Sequence, residues 1–304
     1  MKKKFMMMLL SAMIVMGSMS IAHAAEPDED IADVTVETET TEGKEILSIP
    51  DYSHIAEDNS KFNVTINEYE ALKELNEELN KGRSLDLNLT DEEMNVIKNY
   101  KEMYTNKIEE LQLWSTEKLE NFNYTQEQIE AIKNFDGSED MLLRASSKCT
   151  VSGDFNSFNP SNRGTTAELI MEFRWNGVQS NWFNDIFAVA WSSPFNATNL
   201  DGYVEYKDKD GHYKYIDHNP KAAGLFGSYI SFPKYKDERP EPFYVSAGSI
   251  IIDLKSNTYI SDITGYAEYG YTNFNVSPNV TIDANLGISF NKNVSILDSH
   301  RCYR

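Results

Sequence analysis

Histidines and recognisable nucleophiles are sparse in this sequence, which narrows the catalytic chemistry available to it. Beyond residue 24 the histidines are His54, His212, His218 and His300. No two of them have the helical spacing of a zinc protease, and no Gly-x-Ser-x-Gly motif marks a nucleophilic serine. Carboxylates are abundant, but sequence fixes no separation between them, so a hydrolase of unrecognised type is the third hypothesis for function. The sparse histidines and the missing motifs together favour a protein without catalytic residues.

The two cysteines, Cys149 and Cys302, are separated by about 150 residues and flank the C-terminal half of the chain. Disulfides persist in extracellular compartments, and a bridge closing a loop this long is expected to add roughly 5 kcal/mol of stability in the chain-entropy model. We therefore predict a Cys149–Cys302 disulfide. A pair of free buried thiols is the alternative.

Asp208 and Asp210 lie in an Asp-Lys-Asp-Gly run that resembles part of a calcium-binding loop. Tyr206 occupies the first ligand position of that pattern, and strand-like segments flank it where an EF-hand has helices. An Asp-Gly hairpin turn explains the same residues. We expect no cofactor, with calcium at this loop as the weaker alternative.

Aromatic side chains are the most concentrated binding resource in the sequence. Tyr213 and Tyr215 alternate along a predicted strand, and Trp182 follows the loop-like run 176–181. Tyrosine and tryptophan present flat apolar rings with a polar edge, which suits stacking on sugars and anchoring at interfaces. The sequence therefore indicates Trp182, Tyr213 and Tyr215 as candidate ligand-binding residues, although most of the other aromatics are expected in the core.

Charge and an N-terminal signal indicate where the protein acts. The chain carries a formal charge of -20, which disfavours binding to nucleic acid. Residues 1–24 have the basic, apolar and Ala-x-Ala regions of a secretory signal peptide, so a secreted, extracellular protein is predicted. The segment 25–60 follows, and within it residues 26–60 hold twelve acidic residues and one lysine, a composition typical of a disordered leader.

Helical periodicity occupies residues 61–145. Thr65 with Glu68 and Thr125 with Gln128 have the spacing of capping boxes, Ser115 can cap a short helix, and an apolar stripe from Met94 to Leu111 predicts one long helix. Residues 146–304 change to alternation with period two. The predicted fold class is therefore α+β, with an N-terminal helical segment followed by an antiparallel β-sandwich or open barrel.

The segment 280–290 suggests a second function. It alternates strictly over eleven residues, the length of a membrane-spanning β-strand, and the strand-like segment 263–271 precedes it. An amphipathic hairpin at 260–290 would suit a membrane-active, pore-forming protein, which is the alternative hypothesis. An ordinary strand of a sandwich produces the same alternation. The preferred hypothesis is a secreted, non-catalytic binding protein whose partner is an extracellular glycan or protein, and the sequence does not indicate its oligomeric state.

Overall fold

The computed structural model describes residues 37–38, 66–81, 91–180, 184–236, 242–272, 280–283, 285–290 and 294–304. All of them belong to one compact unit, Thr35–Arg304. The predicted signal peptide lies outside the described residues, and so does the acidic leader except for Glu37 and Thr38. Those two residues form β1, which pairs antiparallel with Ile216 and Tyr215.

Six helices lie in the described part of the segment 61–145. They are α1 (Glu68–Asn80), α2 (Asp91–Lys98), α3 (Tyr100–Gln112), α4 (Thr116–Asn121), α5 (Gln126–Lys133) and α6 (Glu139–Ala145). Two of the predicted N-caps are confirmed. Ser115 accepts a hydrogen bond from the Lys118 amide at the start of α4, and Thr125 and Gln128 form the reciprocal capping box of α5.

Two details of the helical prediction are wrong. The helix α1 is capped by Asn67 and Glu70, whose side chains each accept a hydrogen bond from the other's backbone amide at 2.9 Å. Glu68, the predicted box partner of Thr65, is instead fully buried. The apolar stripe from Met94 to Leu111 is divided between α2 and α3, which meet at Asn99. The helix α6, capped by Ser138, is an element for which the sequence analysis identified no start.

The remaining elements are strands, as predicted. They are β2 (Lys148–Ser161), β3 (Gly164–Asn176), β4 (Asn184–Trp191), β5 (Asn196–Lys207), β6 (Tyr213–Asp217), β7 (Lys221–Ala222), β8 (Gly227–Pro233), β9 (Tyr235–Lys236), β10 (Phe243–Ser256), β11 (Thr264–Thr272), β12 (Thr281–Ile282), β13 (Ile288–Ser289) and β14 (Val294–Tyr303). Every pairing between described strands is antiparallel.

The long strands form two packed sheets, so the predicted β-sandwich is confirmed. A seven-stranded sheet has the order β1-β6-β5-β10-β3-β2, with β9 also paired to β10. A five-stranded sheet has the order β14-β11-β4-β8-β7. The strand β4, which contains the apolar run 186–191, is the middle strand of the second sheet. Alternate residues of both sheets fill one core, as expected for a sandwich.

The helical segment and the sandwich share that core. Apolar side chains of α1, α3 and α5 belong to the same buried cluster as the inner faces of both sheets. Three backbone hydrogen bonds join the two parts: Ile66 N to Leu297 O at 3.1 Å, Glu68 N to Ser147 O at 3.0 Å, and Gly177 N to Phe122 O at 2.8 Å. The two segments are therefore continuous in packing.

The segment 280–290 does not form the predicted continuous strand. Thr281–Ile282 and Ile288–Ser289 pair with each other as a short hairpin, and Asp283 Oδ1 accepts hydrogen bonds from the amides of Asn285 and Gly287. The apolar side chains of this hairpin pack on the outer face of the five-stranded sheet. The segment 263–271 lies mostly in β11, which is bonded on both sides by β4 and β14. The predicted pairing of these two segments is wrong.

The two cysteines lie in the predicted first and last strands, β2 and β14, but both thiols are free and buried. The strands run side by side, with the Val151 amide donating to Asp298 and His300 Nε2 beside Gly153 O. Cys149 therefore lies near the start of β14 and Cys302 near its end, about six residues away, or roughly 20 Å. A disulfide needs Cα atoms within about 7 Å, so the structure corrects the predicted bridge.

Within the described ranges, no helix is long and apolar enough to cross a membrane.

Candidate functional site

Two of the three predicted ligand-binding residues lie together on the outer face of the seven-stranded sheet. Tyr213 and Tyr215 alternate on β6 opposite Lys207 and Glu205 of β5, and Tyr203 follows on the same face of β5. We call these five residues the tyrosine face. The intervening residues of both strands, including Val204, Tyr206 and Ile216, point into the core. The predicted Asp-Gly hairpin turn between β5 and β6 is confirmed and places the tyrosines here.

Polar side chains from three further strands continue the tyrosine face across the sheet. The strand register places Ser249 beside Tyr203, Glu172 beside Ser249, and Ser152 beside Glu172. A shallow depression lies among these residues, lined by Ser152, Glu172, Phe173, Arg174, Tyr203, Ala247 and Gly248. A side chain at Gly248 would collide with the Phe173 ring, so a backbone without Cβ is required at the floor of this depression.

The rings of the tyrosine face are held in place by charged neighbours. The Tyr203 and Tyr215 rings meet edge to face with their centroids 6.4 Å apart, and Lys207 Nζ lies 4.6 Å from the Tyr213 ring centroid. Lys207 also donates to the carbonyl oxygen of Asn121, at the end of α4. Tyr213 keeps 45% of its surface exposed, so a ring that is restrained on one side is open to a ligand on the other.

Electrostatics at the depression favour polar recognition. Burial raises the pKa of the Glu172 carboxyl, and the neighbouring Arg174 opposes that shift. Burial, assisted by Glu205, raises the pKa of the Tyr215 hydroxyl, which keeps this group a hydrogen-bond donor at neutral pH. Among the described residues, the buried Ser249 hydroxyl has no hydrogen-bond partner. The surface thus combines aromatic rings, a carboxyl group, a guanidinium and hydroxyls.

The calcium candidates Asp208 and Asp210 do not converge on a cation site. Asp208 Oδ1 accepts from the amides of Asp210 and His212 at 2.9 and 2.8 Å, and Oδ2 lies 2.8 Å from His212 Nδ1. Asp210 instead faces Lys118 at 3.4 Å. The Asp208 carboxylate organises its own turn, and no cluster of three potential metal ligands is found in the described part of the chain.

Trp182, the third predicted ligand-binding residue, lies outside the described residues, so its role stays a prediction. Its described neighbours Ser180 and Asn184 belong to the end of the sandwich that contacts the helices, where the Ser180 amide donates to Glu68 Oε1 at 2.7 Å.

A group of charges that the sequence did not reveal lies in the interior. Glu68, Lys107, Asp185 and Lys234, which we call the buried ionic cluster, come from α1, α3, the start of β4 and the connection between β8 and β9. Lys107 Nζ lies 3.1 Å from Glu68 Oε2, and Lys234 Nζ lies 3.0 Å from Asp185 Oδ1. Tyrosine hydroxyls extend the cluster: Tyr104 and Tyr271 donate to Glu68, and Tyr269 donates to Asp185.

The pKa values of the two carboxyl groups in the buried ionic cluster are shifted in opposite directions. Burial raises the pKa of Asp185 to about 6, and Lys234 and Tyr269 only partly offset this. At Glu68, burial also disfavours the charge, but Lys107, the Ser180 amide and Tyr271 together lower its pKa. Glu68 is therefore held as a carboxylate that ties helices to sandwich, whereas Asp185 is readily neutralised.

Comparisons with known proteins give no family. No family model matches the chain, and no curated protein matches it. Among solved structures it aligns with the collagen-binding subdomain of the Enterococcus faecalis surface protein ACE, at 10% identity and a TM-score of 0.25 over 51% of this chain and 92% of that one. The B domain of a biofilm-associated protein aligns at 10% identity and 0.26, over 51% and 42% of the two chains. A pore-forming protein aligns at 10% and 0.22, over 52% and 90%. Similarity at this level assigns no function.

Proposed function

We propose that this protein is an exported, non-catalytic binding module that holds a neutral extracellular glycan on the tyrosine face. The observation that carries the proposal is the position of Tyr213 and Tyr215, which lie beside Tyr203 and the polar depression on an outer sheet face. Rings of this kind cover the apolar faces of sugars, and the adjacent carboxyl, guanidinium and hydroxyl groups bond to sugar hydroxyls. The signal-like N-terminus is consistent with an extracellular partner.

The negative charge of the protein narrows the class of ligand that the tyrosine face can bind. A chain with a formal charge of -20 repels polyanions, and acidic groups such as Glu172 and Glu205 line or border the depression. A neutral polysaccharide meets no such barrier. A protein ligand is the other class that these residues can accommodate, because tyrosine and arginine also anchor protein interfaces.

The pore-forming alternative loses its structural basis. It required a hairpin at 260–290 that can leave the soluble fold, yet β11 is an interior strand of the five-stranded sheet and does not pair with the segment 280–290. Releasing β11 would break the hydrogen-bonded pairs on both of its sides.

Affinity electrophoresis through gels that contain mannan, xylan or mixed-linkage glucan tests the proposal. We expect at least one of these neutral polysaccharides to retard the full-length exported protein. Hydrogen–deuterium exchange with that polysaccharide should then slow in residues 196–217 and leave residues 294–303 unchanged. Retardation by none of the probes, or protection confined to the five-stranded sheet, would refute glycan binding at the tyrosine face. Binding to a protein ligand with the same exchange footprint would redirect the proposal to that class.

A further inference from the structure

Asp185 and Lys234 form the most enclosed pair of reactive side chains in the described structure. Both have no exposed surface, and Lys234 Nζ lies 3.0 Å from Asp185 Oδ1. Asp185 is near the start of β4, and Lys234 lies where the chain leaves β8 of the five-stranded sheet and enters β9, which pairs with the seven-stranded sheet. An amine and a carboxyl group are thus held in contact, away from solvent, at a crossing point between the sheets.

This environment disfavours the ion pair that the two groups would form in water. Moving a carboxylate and an ammonium from water into the interior is strongly unfavourable for each ion, and their mutual attraction often fails to offset that cost. Burial accordingly raises the pKa of Asp185 to about 6 and lowers the pKa of Lys234. Transfer of one proton from Nζ to the carboxylate gives a neutral amine beside a neutral carboxylic acid, the two reactants of amide formation.

We propose that Asp185 and Lys234 condense to an intramolecular amide, so that a covalent bond links Lys234 Nζ to Asp185 Cγ. The lone pair of the neutral amine adds to Cγ and forms the C–N bond. The nitrogen then gives up one proton, a carboxyl oxygen gains it, and the C–O bond breaks. One water molecule leaves for each amide formed. The reaction needs no oxidant, reductant or cofactor, because the two side chains supply every atom.

The groups around Asp185 are arranged to assist the addition. The Thr272 amide donates to Oδ1 at 2.9 Å, and the Tyr269 hydroxyl donates to Oδ2 at 2.6 Å. Two donors at the carboxyl oxygens stabilise the negative charge that develops when an amine attacks the carbon, as in an oxyanion hole. Tyr269 receives a further hydrogen bond from the Trp175 indole, which fixes its hydroxyl. Tyr269 is therefore the catalytic residue that we assign to this reaction.

The Lys234 amine is also held in place by its neighbours. Lys234 Nζ donates to the Thr272 carbonyl oxygen at 2.6 Å and lies 3.6 Å from the centroid of the Tyr271 ring. Tyr271 is held in turn by Glu68 through its hydroxyl at 2.7 Å. Because both reacting groups are already held in contact, the reaction does not have to bring two free groups together. The entropic part of the activation barrier is therefore reduced. Glu68 is a positioning residue, since it acts on Lys234 through Tyr271.

A peptide map of the exported full-length protein, digested with trypsin after denaturation, decides the proposal. Trypsin does not cleave after an acylated lysine, so the expected product is the peptide 175–207 joined to the peptide 222–236. Its mass should equal the two together less one water, and fragmentation should locate the bond between Asp185 and Lys234. Quantitative recovery of the two separate peptides, with cleavage after Lys234, would overturn the proposal.

Variants separate the cross-link from a purely structural pair. Asp185→Ala and Lys234→Met should each abolish the joined peptide, whereas Lys214→Met, a change at another buried lysine outside both peptides, should leave it intact. Replacing Glu68 by Gln should slow the appearance of the joined peptide in freshly refolded protein. If these variants fail to fold, the map of the unmodified protein still gives the answer. The outcome is independent of glycan binding, because the tyrosine face contains neither residue.

Discussion

At the scale of single residues, the turn at Asp208 shows how one carboxylate organises a strand of the tyrosine face. Asp208 is buried, and both of its oxygens are occupied by the backbone and ring of the residues that follow it. This turn sets the register of β6 against β5, and the register fixes the positions of Tyr213 and Tyr215. Asp208, which the sequence analysis considered as a calcium ligand, therefore supports the tyrosine face by shaping the turn that precedes β6.

We expect the pKa of His212 to lie above its ordinary value of 6.5, because Asp208 accepts a hydrogen bond from the ring and attracts its positive charge. A raised pKa in the folded state means that the ion pair contributes stability below pH 6.5 and loses it as the pH rises through the folded value. An NMR titration of His212 tests this. Asp208→Asn should move the His212 pKa downward, and an identical titration curve in that variant would show that the pair is not formed.

Residue types reveal the tyrosine face only in part. Tyr213 and Tyr215 could be selected because alternation and an Asp-Gly turn are local signals. Their partners Glu172, Arg174 and Ser249 lie on β3 and β10, and only strand register brings them there. Asp185 and Lys234 had no local signal that pairs them. A lone aspartate opening an otherwise apolar central strand was the one available hint.

At the scale of elements, the hairpin of β12 and β13 shows where periodicity misleads. Strict alternation over 280–290 concealed a turn, in which Leu286 adopts a φ of +68° and the Asp283 side chain bonds to two amides. The observed hairpin buries four apolar residues, as the predicted continuous strand would also do. They are Val280, Ile282, Leu286 and Ile288. The alternation thus predicted correctly which residues are buried, but it did not predict the turn at which the chain reverses direction.

The contact between this hairpin and the five-stranded sheet depends on Gly227. A Cβ at Gly227 would lie 2.1 Å from Ile282 Cδ1, so Gly227→Ala should lower the free energy of unfolding by about 1–3 kcal/mol through overpacking. Urea denaturation measures the change. An Ile282→Ala background removes Cδ1 and Cγ2, the two nearest obstructing atoms, and the same substitution should cost much less there. Additive effects in the double variant would mean that the contact is not the cause.

At the scale of the whole molecule, composition and periodicity sufficed for the fold class but not for the relation between its parts. Helical spacing before residue 146 and alternation after it predicted an α+β chain, and the sandwich confirms this. The sequence also divided the chain into a helical segment and a sheet segment. In the structure, Glu68 of α1 is hydrogen-bonded to Tyr271 of β11 and Ser180, so helices and sheets share one interior. Such long-range polar contacts leave no periodic trace in a sequence.

The central claim, that the tyrosine face holds a neutral glycan, is tested most directly by comparing single tyrosine variants on the polysaccharide that retards the protein. Tyr215→Ala should weaken binding by about 1 kcal/mol or more, roughly a fivefold increase in dissociation constant. Tyr259 is also exposed but lies beyond the opposite end of β10, so Tyr259→Ala is the matched control and should bind as the unmodified protein does. Equal affinities for all three proteins would contradict the account.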